Sequence, residues 1–121
     1  MKKFKISQIQ FQAEATPDQN AKLLIKLFKQ AQKYKPNLIC TPECSNIITH
    51  DKKHLFQFAT YQNNCPIIKE ARIFAKKNKV NINIGSLLLK IKENKKLANR
   101  SILINKREKF SQYIIKFICL M

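Results

Sequence analysis

Cys40, Cys44, His50 and His54 form the densest group of potential metal ligands in the chain. The pattern C-x3-C then H-x3-H uses residues that suit zinc, but only five residues separate the two pairs, against ~12 or more between the pairs of a zinc finger. Cys40 also lies in an apolar run that reads as a buried strand. Two core thiols near two surface histidines is the better reading, and no metal or organic cofactor is implied. Glu43 is the sharpest candidate for chemistry. A carboxylate at a strand end, behind Pro42 and among apolar neighbours, would gain a raised pKa if buried, which suits proton transfer near neutrality. Position alone equally allows a capping or surface glutamate. Cys44 beside it has the atom of a nucleophile, but a thiol is activated by an adjacent base or positive charge. The sequence shows none, and a core cysteine is expected.

The elements around these residues follow from periodicity. Phe4, Ile6, Ile9 and Phe11 predict a first strand, with a slip of phase at Ser7 and Gln8. Thr16-Pro17-Asp18-Gln19 combines an N-cap threonine, a proline at the first helical position and a glutamine completing a capping box, so a helix starts here. Ala21, Leu24, Ile25, Phe28 and Ala31 form its inner stripe, Lys22, Lys26, Lys29 and Lys33 its outer one, and Pro36 ends it. Leu38, Ile39 and Cys40 are the unbroken apolar run of a parallel strand covered on both faces. The result is a βαβ unit with a right-handed crossover, and Glu43 falls just past the carboxyl end of its second strand, where α/β sheets place functional groups.

A polar stretch with His50, Asp51 and His54 precedes a second amphipathic helix from about Pro66 to Lys77, with Ile67, Ile68, Ala71, Phe74 and Ala75 inward. Val80, Ile82 and Ile84 alternate as a strand closed by Gly85-Ser86. Leu87 to Lys92 extends it into a hairpin turning at Glu93-Asn94-Lys95, and Ala98 to Ile104 is a further strand. Gln112 to Leu120 is a last apolar run. The pattern is α/β, with helices and strands alternating early and a strand-rich second half.

Composition fits one domain over residues 1–121, with 45% apolar and 26% charged residues, so disorder and a two-domain chain are excluded. No apolar run reaches the ~20 residues of a membrane span, and the basic N-terminus leads into no signal core, so a cytoplasmic protein with reduced thiols is expected. The formal charge is +17, which attracts phosphate in general. However, 21 Lys, 17 Ile and 11 Asn are all residues with A/T-only codons, and the lysines are spread along the chain. Codon bias and a solvated surface explain the charge more economically than a nucleic-acid partner does.

The ordered segments say more than any single residue. Lys5-Ile6-Ser7-Gln8-Ile9-Gln10-Phe11, the capped helix, Leu38-Ile39-Cys40-Thr41-Pro42-Glu43, Asn81-Ile82-Asn83-Ile84-Gly85-Ser86 and Asn99-Arg100-Ser101 together resemble the carbon-nitrogen hydrolase (nitrilase) superfamily, amidase-like branch. The resemblance covers almost the whole chain. It implies a four-layer α-β-β-α sandwich, here incomplete, as a mixed sheet with helices on one face. It also implies hydrolysis of a non-peptide amide or nitrile by a Glu-Lys-Cys triad through a thioester-type acyl enzyme, with Glu43 as general base.

Two departures accompany the resemblance. The family's lysine lies in a Tyr-x-Lys-x-His-Leu-Phe stretch. Here Tyr113 leads into Ile114-Ile115-Lys116-Phe117-Ile118-Cys119, with the lysine one place late and no histidine. The nucleophilic cysteine lies a few tens of residues further on in the family. Cys119 is too early for that role and Cys44 matches no nucleophile position. One choice of codons for Ile114 to Met121, read from its third nucleotide, spells Asn-Lys-Ile-His-Leu-Phe-Asn and restores the family stretch. The expectation is therefore a frameshifted, truncated N-terminal portion, inactive alone. Its alternatives are a fragment complemented by a second polypeptide carrying the nucleophile, or a non-enzymatic basic nucleic-acid-binding protein; the partners expected are a small-molecule amide or nitrile and a complementing fragment or a second copy in a homo-oligomer. Uncovered sheet edges and an apolar face are expected, and with them poor solubility or dependence on a partner.

Overall fold

The computed structural model describes residues 3–91, 96–107 and 110–111. The elements run β1 (Ile6–Gln8), α1 (Pro17–Gln32), β2 (Leu38–Thr41), α2 (Lys52–Phe58), a 3-10 turn (Gln62–Asn64), α3 (Pro66–Asn78), β3 (Asn81–Lys90), β4 (Leu97–Ile104) and β5 (Phe110–Ser111). They build one mixed sheet in the order β1-β2-β3-β4-β5. The first three strands are parallel and the last two antiparallel additions. Because β1, β2 and β3 advance in one direction, right-handed crossovers place both connecting helices on the same face. Phe28 of α1 and Phe74 of α3 meet there with ring centroids 5.3 Å apart.

Helix α1 begins where its cap signals place it. The Thr16 hydroxyl accepts from the Gln19 amide at 3.4 Å and donates to Gln19 Oε1 at 2.9 Å. The glutamine thus takes the threonine hydroxyl rather than the Thr16 amide that a capping box would give it. Its last regular residue is Gln32, short of Pro36. The amides of Lys33, Tyr34 and Lys35 reach back only three residues, to Gln30, Ala31 and Gln32, and Lys35 then turns left-handed at φ 50°. The tightened last turn, not the proline alone, stops the helix.

The core lies between the sheet and the two long helices. Leu24, Phe28, Ile39, Ala71, Ala75, Ile82, Ile84, Leu87, Leu89, Ile102 and Ile104 are buried in it. The opposite face is not closed over β1 and β2. Leu38 and Cys40 alternate with buried Ile39 and are only half-buried, and Ile6 is 58% exposed. The expectation that β2 is covered on both faces is therefore not met among the described residues. Helix α2, absent from the sequence reading, is capped by Asp51, whose carboxylate accepts from the Lys53 and His54 amides. It sets Leu55 into a second apolar cluster with Ile47, Ala59, Leu88 and Leu97.

Strand β3 also differs from expectation. Gly85-Ser86 does not close it, because pairing with β4 shifts register there: Ile84 opposes Ile102 and Leu87 opposes Arg100. Gly85 and Ser86 on β3 thus oppose the single Ser101 on β4, which is a β-bulge. The extra residue returns Leu87 and Leu89 to the helix face shared by Ile82 and Ile84, so a ten-residue strand keeps one buried side. The hairpin turn at Glu93-Asn94-Lys95 and the run Gln112 to Leu120 lie outside the described residues.

Candidate active site

Glu43 lies two residues beyond β2, in a turn whose next residue, Cys44, is left-handed at φ 51°. Its side chain is exposed. The burial among apolar neighbours expected for it is therefore not supplied by the described residues. What the fold supplies is a rigid mount. The Cys44 amide donates to Ser86 Oγ at 2.8 Å and the Ser45 amide to the Ser86 carbonyl at 3.0 Å. The turn is thus tied to the β3 bulge. Gly85 is required at that junction, since a Cβ there would stand 2.7 Å from the Pro42 carbonyl carbon and oxygen and closer still to the Thr41 oxygen.

A directed chain of hydrogen bonds runs through the turn that carries Glu43. The Gly85 amide donates to Thr41 Oγ1 at 3.3 Å, and Ser45 Oγ donates to the Pro42 carbonyl at 2.5 Å. Ser45 has a single hydroxyl proton, so in its 2.9 Å contact with Thr41 Oγ1 the threonine must be the donor. Each link polarises the next. Asn46 continues the mount: its side-chain amide donates to the Leu88 carbonyl at 2.8 Å and accepts from the Leu88 amide at 3.0 Å. The Asn46 carbonyl accepts from Asn20 Nδ2 at 2.7 Å, and Asn20 Oδ1 takes the Glu14 amide at 2.6 Å. The turn is thereby joined to α1 as well as to β3.

Among the described residues the buried polar ones are Asn20, Thr41, Ser45, Asn46 and Ser86. All five belong to this one network. The sequence reading missed Asn20, Ser45 and Asn46 as site residues. Asn20 carried a signal: it occupies the apolar stripe of α1, four residues before Leu24, where a polar side chain must find partners.

The other sequence candidates are not brought into this arrangement. His54 Nε2 lies 2.6 Å from the Ala15 carbonyl, which can only accept, so Nε2 carries the proton. Its ring packs on Phe58 with centroids 4.5 Å apart. His50 is exposed. Among the described residues no three His, Cys, Asp or Glu side chains converge as a metal site. Cys40 and Cys44 are half-buried rather than core thiols. Burial pushes the Cys40 thiol up. Cys44 is raised first by burial, with the Ser86 hydroxyl opposing and the Glu43 charge adding to the rise. Neither is activated. Arg100 Nη1 donates to Gln62 Oε1 at 2.8 Å, linking β4 to the turn before α3. Lys116 and Cys119 lie outside the described residues.

The carbon-nitrogen hydrolase family model matches residues 5–116. The chain belongs to this family. No curated protein matches it. Solved structures share its fold: NitFhit of C. elegans at TM-score 0.75 and 18% identity, over 91% of this chain and 26% of that one. Nit3 of Saccharomyces cerevisiae, a branch 10 member of the nitrilase superfamily, aligns at TM-score 0.74 and 18% identity, over 88% and 41%. An amidase from Nesterenkonia sp. AN1 aligns at TM-score 0.73 and 13% identity, over 98% and 50%. The chain thus spans half or less of the length of these relatives, and at such identities the likeness is one of fold. The α/β architecture, a mixed sheet with α1 and α3 on one face, is that of the carbon-nitrogen hydrolases.

Proposed function

We propose that this carbon-nitrogen hydrolase chain supplies Glu43 as the general base of an amide-hydrolysing site, and that it is inactive without a nucleophilic cysteine from outside the described residues. The observation that carries the reading is that the buried polar residues all hold the turn that carries Glu43 and the loop that follows it. Buried hydrogen-bonding groups cost free energy unless all are paired, and here they fix a turn whose only outward carboxylate is Glu43. The substrate class follows the neighbours. The Nesterenkonia protein is an amidase whose glutamate-to-glutamine mutant carries acrylamide on its active-site cysteine, and an N-terminal amidase neighbour holds a Gln-Gly peptide.

In the proposed reaction the Glu43 carboxylate takes the thiol proton of the cysteine and the thiolate attacks the amide carbon. The C–N bond breaks as the nitrogen takes that proton, leaving a thioester. Water, deprotonated by the same carboxylate, then releases the acid and returns the thiol. Cys44 is excluded as the attacking group by its raised thiol and by its place in the mount. The test combines the chain with the polypeptide encoded downstream of Tyr113 and follows release of amine from simple amides. Hydrolysis is expected only in the mixture and falls at least ~10²-fold in Glu43→Gln, in line with removal of a general base. Activity that survives Glu43→Gln, or a mixture that stays inert, overturns the proposal.

A further inference from the structure

Lysines that are scattered in sequence are gathered by the fold. Lys22, Lys26, Lys29 and Lys33 recur at intervals of four, three and four, and all are exposed on the side of α1 opposite Ala21, Leu24, Phe28 and Ala31. From first to last the row is about 16 Å long at 1.5 Å per residue. Helix α3 lies beside α1, seamed to it by Phe28 and Phe74. Lys69 and Lys76, seven residues apart, are exposed on the side of α3 opposite Ile67, Ile68, Ala71 and Ala75. Two cationic rows therefore share one surface, on axes about 8–10 Å apart.

A merely solvated helix face interleaves signs, with acids three or four residues from each lysine. Helix α1 does the reverse. Its one acid is Asp18 in the first turn, and residues 19–34 contain no carboxylate. Lys22 faces Lys26, Lys26 faces Lys29 and Lys29 faces Lys33 at repulsive spacing, a surface that a polyanion relieves. Codon bias explains how many lysines the chain has, not why the outer side of α1 lacks acids; on α3 one acid, Glu70, is half-buried beside Lys69.

We propose that the outer face of α1 and α3 binds the phosphate backbone of nucleic acid without reading sequence. Lysine is a compact point charge that contacts phosphate without the bidentate fork needed to read guanine. The outward positions of α1 present lysine and glutamine and no apolar side chain, and the outer side of α3 adds the single exposed Ile73, which is short of the continuous insertion surface of a membrane-bound helix. This surface stands on the helix layer and does not depend on the activity proposed for Glu43.

Fluorescence anisotropy of a mixed-sequence 20-base-pair DNA duplex against the full chain tests it. Six phosphate contacts give a roughly 10³-fold loss of affinity between 50 and 200 mM salt, the same for a scrambled duplex. The quadruple variant Lys22→Gln, Lys26→Gln, Lys29→Gln and Lys33→Gln keeps the helix, since glutamine is a good helix former, and is expected to flatten the log–log salt slope by about 3 to 4. A matched quadruple at Lys52, Lys53, Lys96 and Lys106, exposed residues outside the two helices, is expected to retain most of the affinity and slope. Equal losses from both quadruples would mean undirected net-charge attraction and overturn the proposal. Tighter binding to phosphatidylserine vesicles than to the duplex overturns it in favour of a membrane surface.

Discussion

For the single residue, the chemistry proposed for Glu43 depends on the groups that hold its turn as well as on the carboxylate. Gly85 is the clearest. It sits in the bulge of β3 with Pro42 and Thr41 backbone atoms packed over its Cα, and those atoms belong to the turn that carries Glu43. All three of the nearest atoms are backbone, which leaves no flexible side chain to yield. Gly85→Ala is expected to destabilise the chain by about 1–3 kcal/mol, as overpacking does, read as a lower urea midpoint at unchanged slope. Ser86→Ala is the companion: it removes the acceptor of the Cys44 amide without adding volume and costs about 1 kcal/mol. If Gly85→Ala unfolds at the wild-type midpoint, the close approach is not rigid and the turn is not held as described.

At the scale of the element, what the sequence made legible is what local chemistry encodes. Thr16 and Pro17 start α1 because cap geometry is written in neighbouring residues, and the 3.6-residue stripe of Ala21, Leu24, Phe28 and Ala31 shows which side is buried. Strand β2 and the βαβ order follow for the same reason. Gly85-Ser86 reads as a strand end in the sequence because a bulge and a strand terminus look alike until the pairing partner is known. Helix α2 has only seven residues and its one buried side chain is Leu55, too short a pattern for periodicity to reveal. The mount of Glu43 is illegible in the sequence because Asn20, Asn46 and Ser86 come respectively from α1, from the loop after β2 and from β3. One cap departs from local preference. Lys79 ends α3 at φ 53° and ψ 46°, left-handed, while its amide donates to the Ala75 carbonyl. A β-carbon is disfavoured there and glycine is not. Lys79→Gly is expected to stabilise by about 1 kcal/mol, whereas Lys77→Gly, inside the helix, is expected to cost about that much. Thermal midpoints moving in the same direction for both variants would contradict the cap assignment.

For the whole molecule, the decisive asymmetry is between the two faces of the sheet. One carries α1, α3 and the larger apolar cluster, whereas over β1 and β2 the other presents Ile6, Leu38 and Cys40 beside Asn81 and Asn83. The β1 strand adds a second exposure. It pairs only with β2 among the described residues, and its flank carries Phe4 and Ile6, 64% and 58% exposed. An unpaired edge beside apolar side chains recruits other strands. A basic helix layer on the opposite side keeps molecules apart by charge at low salt, with a screening length of about 30 Å at 0.01 M that falls to about 10 Å at 0.1 M. Association of the isolated chain is therefore expected to rise with salt: sedimentation at 0.01 M shows mostly monomer, and at 0.15 M and above larger species form. Charge reduction by the α1 quadruple would shift that onset to lower salt, whereas Ile6→Lys, which places a cation at the edge strand, would suppress it. A chain that stays monomeric across this range and unfolds in one sharp transition would show that neither the open face nor the β1 edge needs a partner. The proposal that Glu43 works only in combination with a second polypeptide would then lose its structural motive.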